Sequence, residues 1–394
     1  GFNPYARQMD FALQRNSKNT IFNPTSLYVE WEKEKRKTLK QTSNSNWIPK
    51  GPINTPIILA NGKKRGNGRV NCIAFDPFNE DVIWVGSPAG GLWKTIDGGS
   101  NWSTATDNLP VIGVSHIAIH PTNPNIMYIV TGDAHASDTY SIGILKSTDG
   151  GLNWNTTDLS YNITQEKTVN KVIINPNFPD SIYAITNSAI LLSSDGGQNF
   201  NAIGIIGRWR DIEFKPGDPS TIYAAKQSSG GSDVYRSVDG GANWTIINNG
   251  ATSNHKFRPL IAVTPDNPDV IYALYSSSDY GFHGIYKSSD CGDNWTLQSD
   301  SPNLLDWSTD GSGSGGQGWY DLALAVNPLD ENEVFVGGIN VWKSNDGGIN
   351  WYISSHWYGG GGNEYMHADE HILKYNQVNN KLYSGNDGGL YNSL

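Results

Sequence analysis

His367, Asp369 and His371 alternate along the chain. On a strand they would share one face, and two imidazoles with a carboxylate are donors for a divalent cation such as zinc. Three ligands on one strand suit a tetrahedral site poorly, and no fourth ligand stands nearby. The competing reading is a polar network that ties this segment to its neighbours. Elsewhere Arg210 and Arg258, with Trp209 beside Arg210, could bind a glycan or a peptide at the channel mouth, and Arg208 completes a set of three arginines. Trp307, Trp319, Tyr320, Trp357 and Tyr358 lie in two Gly-rich stretches, and could stack on a glycan or a peptide. No motif requires a cofactor, so a divalent metal at His367, Asp369 and His371 is the one cofactor expectation.

A second set of acids repeats. Thr95-Ile96-Asp97-Gly98-Gly99-Ser100-Asn101-Trp102 returns with small changes around Asp149, Asp195, Asp239, Asp290 and Asp346, at steps of 44 to 56 residues. In the fifth copy Cys291 replaces the first Gly; the third ends in Phe200 instead of Trp. The stretch has the chemistry of a hairpin turn. Asp accepts backbone N–H groups, the Gly pair supplies positive φ, and the Ser/Thr hydroxyl adds a local bond. Each copy follows a short apolar run, so each joins two antiparallel strands. Six such aspartates hold their own turns together and are structural, not catalytic.

A second repeat lies upstream of each turn: an alternating apolar run ending in Pro. It occurs at 73–77, 117–121, 172–176, 212–216 and 261–265, and with drift at 322–328 and 372–375. Seven units of four strands make an all-β, seven-bladed β-propeller. Two long insertions, 300–318 and 356–370, feed the sixth and seventh units. Loops of that length in a compact domain carry function or move. Residues just before each innermost strand should ring the channel mouth, and these include Arg69, His116, Lys171, Arg210, Arg258, Tyr320 and His371.

Residues 1–43 lie outside the repeat, and Thr25-Ser26 could cap a helix over 27–39, giving a short, partly helical N-terminal arm. The propeller then spans 44–394. Asn46-Trp47 looks like the tail of a repeat lacking its turn, so residues 46–50 are expected to supply the last blade's fourth strand and close the ring. A start at Gly1 suggests that a leading segment has been removed.

The chain has 44 Gly, 14 Trp and 19 Tyr, with 17% charged residues and a net charge of −10. The balance argues against a nucleic-acid partner, and no apolar run could span a bilayer. Cys72 and Cys291 fall in distant blades, so no disulfide is expected between them.

The repeated turn resembles the Asp box, and the chain resembles the Asp-box β-propellers, which include sialidases, sortilin-type domains and two-propeller xyloglucanases. The segments 315–321, 356–371 and 385–391, with Asn46-Trp47 to Pro52, are similar to the N-terminal propeller of large bacterial surface proteins exported by type IX secretion. That resemblance implies an extracellular or outer-surface location, passage through the secretion machinery and a longer natural protein. The xyloglucanases carry a catalytic Asp in a strand matched here by Ser87-Pro88-Ala89-Gly90-Gly91-Leu92-Trp93. Pro88 stands in place of the acid, and Asn386 stands at a second similar position. The order of motifs that sialidases need is absent. The expectation is therefore a non-enzymatic interaction or adhesion platform for protein or glycan; the alternative is a glycoside hydrolase, which needs two carboxylates across a cleft.

Overall fold

The structure is a computed structural model, and its described residues are 67–135, 139–228, 231–251, 257–359 and 362–393. Strands of alternating apolar residues, cut by Gly-rich turns, pair with their sequence neighbours into seven antiparallel sheets. Six have four strands and the seventh has three among the described residues. The first sheet shows the pattern: Cys72–Phe75, Ile83–Ser87, Gly91–Thr95 and Ser103–Thr104.

The first strands of successive sheets are Cys72–Phe75, Val114–Ile119, Val169–Ile174, Arg208–Lys215, Pro259–Val263, Ala323–Asn327 and Glu370–Tyr375. Each touches the next, and the seventh touches the first, which closes the ring around a central channel. Across the closing seam Val70 N donates to Asn386 O at 3.0 Å, Lys374 Nζ donates to Ile73 O at 3.2 Å, and the Phe75 and Tyr383 rings lie 4.9 Å apart. The chain is a seven-bladed β-propeller. The expected N-terminal helix and the closing strand at 46–50 fall outside the described residues.

The core lies between blades. Tyr128, Val130 and Ile144 of the second sheet pack on Val169, Val172, Ile182 and Ala184 of the third, and Phe200 covers the outer end. Close approach fixes some glycines. Gly143 has φ +104°, and a Cβ there would meet Leu159 O at 1.9 Å.

The six repeated turns share one geometry. In the second, Ser147 Oγ donates to Asp149 Oδ1 at 2.8 Å and accepts from Gly151 N at 2.9 Å. Asn153 then binds Asp149 twice, through N at 2.9 Å and Nδ2 at 2.7 Å. Side-chain and backbone N–H groups hold the exposed carboxylates of Asp97, Asp149, Asp195 and Asp239 down at about 2. Asp290 and Asp346 are lowered too. Cys291 takes the left-handed conformation that Gly takes in the other copies. Both thiols are free.

Candidate active site at the channel mouth

The two insertions meet over the sixth blade. His356 Nε2 and Trp357 Nε1 reach Trp307 O at 3.3 and 3.2 Å, and Gln317 Nε2 donates to Asp369 Oδ1 at 3.1 Å. Trp307 and Tyr358 are exposed, Trp357 is half-buried, and Trp357 and Tyr358 stack edge to face at 4.6 Å. Trp319 is 45% exposed and lies against Tyr320, which is buried.

Tyr320 links two polar groups. Its hydroxyl accepts from Arg69 Nη1 at 3.0 Å and donates to the Asp387 carboxylate at 3.0 Å. Arg69 also pairs with the buried carboxylate of Asp133. His371 Nε2 lies 2.9 Å from Asp387 Oδ1, and its Nδ1 lies 3.0 Å from His135 Nδ1. Burial keeps both imidazoles neutral, His135 strongly so beside Arg258. A neutral His371 must donate from Nε2 to the carboxylate, which leaves Nδ1 to accept from His135. The relay is thus directional: His135 to His371 to Asp387.

Two carboxyls here are driven in opposite directions. Burial raises Asp369 to about 6, helped by the charge of Asp387. Burial also works against ionised Asp387, but the His371 N–H, the Tyr320 hydroxyl and the Arg69 charge outweigh it and hold the group below the usual range. Beside Asp369 is Asp321, fully buried, whose carboxyl takes no N–H or hydroxyl from any other described residue. Burial and the neighbouring Asp369 drive it well up, and the two carboxyls are within hydrogen-bonding reach. Two acceptors can pair only through a proton, so this pair retains one where an ordinary carboxyl would have lost it. Glu370 is also buried and driven up, bound to Ser384 and Asn386, and anchors the innermost strand.

Several expectations need correction. His367, Asp369 and His371 do not line one strand face. The strand starts at Glu370, Asp369 has φ +69°, and His371 is committed to Asp387 and His135. Among the described residues no group of three or more His, Cys, Asp or Glu is arranged to hold a metal. Trp209 is wholly buried, packed on Tyr235 and Trp244, and offers no face to a ligand. Arg210 and Arg258 do line the channel. Sequence reasoning did not select Asp321 or Asp387 as site residues. The signal for Asp387 was the Asn386-Asp387-Gly388-Gly389 stretch, one residue out of step with the expected acid.

No family model matches the chain. It is 25% identical over 329 residues to a xyloglucanase from Paenibacillus, covering 73% of this chain and 31% of that protein. A xyloglucanase from Acetivibrio thermocellus is also 25% identical, with 73% and 38% covered. The chain therefore spans about a third of the length of the curated relatives it matches. The crystal structure of an ancestral GH74 enzyme superposes with a TM-score of 0.62 at 18% identity, over 89% of this chain and 46% of that one. These similarities overturn the expectation of a non-enzymatic adhesion platform. That expectation rested on Pro88 and Asn386, and it overlooked the carboxyls of Asp369 and Asp387.

Proposed function

We propose that this propeller is the catalytic half of an extracellular glycoside hydrolase acting on a β-linked polysaccharide. The observation that carries the reading is the opposed pair at the mouth: Asp369 held protonated to about 6, Asp387 held ionised. Carboxyls whose surroundings drive their protonation apart are suited to act as general acid and general base. In this reading Asp369 protonates the departing glycosidic oxygen, with Gln317 orienting its carboxyl. Asp387 activates water or attacks the anomeric carbon, and the His371–His135 relay orients it. The exposed face of Trp319 stacks on a sugar ring beside the pair. The likeness to xyloglucanases supports a polysaccharide as the substrate.

The test is release of reducing ends from a panel of neutral and acidic β-linked polysaccharides by the full chain, Asp369→Asn and Asp387→Asn. Turnover by the unsubstituted chain, lost in both variants, supports the proposal. No turnover on any polysaccharide, or turnover that survives both substitutions, rules it out.

A further inference from the structure

Beneath the carboxyl pair the channel encloses a cavity of about 540 Å³. Four basic side chains line it, Lys171, Arg210, Arg258 and Lys374, against two acidic ones, Asp211 and Glu213. Both carboxylates are taken by Lys171, at 2.7 and 2.5 Å, and Asp211 Oδ2 also accepts Ile261 N at 3.0 Å. Among the described residues the hydrogen-bond partners of the two arginines are neutral, although the Asp321 and Asp211 carboxyls lie near enough to Arg258 to favour its charge. Arg210 Nε donates to Gln227 Oε1 at 2.6 Å, and Arg258 Nη1 donates to the carbonyls of Trp319 and Tyr320 at 3.1 Å each.

Burial disfavours both charges; Arg258 falls to about 10, and Arg210 is lowered further by its neighbours Arg258 and Arg208. A chain with net charge −10 that keeps an excess of positive charge inside its channel bears a standing cost that a bound anion would relieve. Guanidinium groups fit a planar carboxylate through paired N–H donors. The position is informative too, because Arg258 sits on the backbone of Trp319 and Tyr320. Those residues supply the aromatic face and the hydroxyl that binds Asp387.

Resting on the hydrolase reading, we infer that Arg210 and Arg258 bind the carboxylate of a uronic-acid unit, so that the glycan taken at this mouth is acidic rather than neutral. The sugar ring would lie against Trp319 and its carboxylate would point into the channel.

The experiment is calorimetric titration of the full chain carrying Asp369→Asn, so that no substrate is consumed. The ligands are a glucuronate-bearing oligosaccharide, its carboxyl-reduced counterpart and a short peptide with a free C-terminal carboxylate. The acidic sugar should bind about 10- to 100-fold more tightly than the reduced one at low salt, as charge-assisted hydrogen bonds imply, and the gap should shrink with salt. Adding Arg210→Ala should erase the preference; Arg210→Lys, which keeps charge but loses the fork, should restore part of it. Equal affinity for the two sugars, or tighter binding of the peptide, overturns the inference. A preference for the acidic sugar with no bond cleavage by the unsubstituted chain upholds the inference while removing the hydrolase reading.

Discussion

Aspartate does opposite work at the rim of the ring and at its mouth. Asp149 is half-exposed, collects donors from Ser147 and Asn153, and stays ionised down to about 2. Asp369 is half-buried, takes a hydrogen bond from Gln317, has Asp321 beside it, and keeps its proton to about 6. Donor count and desolvation, not residue type, set the charge. A turn aspartate is tuned to hold backbone, a mouth aspartate to exchange a proton.

The largest effect expected from breaking this contrast is on catalysis. Asp369→Asn should lower turnover by roughly 10²- to 10⁴-fold while the chain still folds cooperatively, whereas Asp149→Asn should leave turnover intact. Next in size is the pH profile. The acid must be protonated and Asp387 ionised, so activity should fall about tenfold per pH unit above about 6. The acid-side limb should lie below the ordinary carboxylate range, because Asp387 is lowered.

The fold was legible in the sequence because its determinants are local. Thr95, Asp97, Gly98 and Gly99 build their turn within a few residues, and six repetitions of such a stretch specify a ring before any long-range contact is known. The site was not legible, because it is assembled across blades. Arg69 meets Tyr320 from the far end of the chain, and Tyr320 meets Asp387 across the last blade. The His-x-Asp-x-His alternation misled because Asp369 adopts φ +69°, which takes it off the strand face, and nothing in its neighbours announces that conformation.

Stability effects are smaller. Gly151→Ala places a side chain at φ +91° with its Cβ 3.3 Å from Met127 Sδ, and should cost about 1–2 kcal/mol in denaturant unfolding with turnover unchanged. The smallest effect is in the pH dependence of unfolding. Asp149 is lowered on folding, so its contribution is present at neutral pH and is lost as pH falls through about 2. Asp369 is raised, so its contribution is present below about 4 and is lost as pH rises through about 6. Asp149→Ala should flatten the first slope only and Asp369→Asn the second only, as read by urea midpoints across pH.

The most direct measurement is a ¹³C NMR titration of the chain labelled at the aspartate carboxyl carbons, with Asp369→Asn and Asp387→Asn assigning the two signals. Asp369 should titrate with a midpoint near 6, and Asp387 with one below the ordinary aspartate value of about 3.9. Two midpoints together near that ordinary value would contradict this, since the mouth would then hold two equivalent carboxylates and no acid.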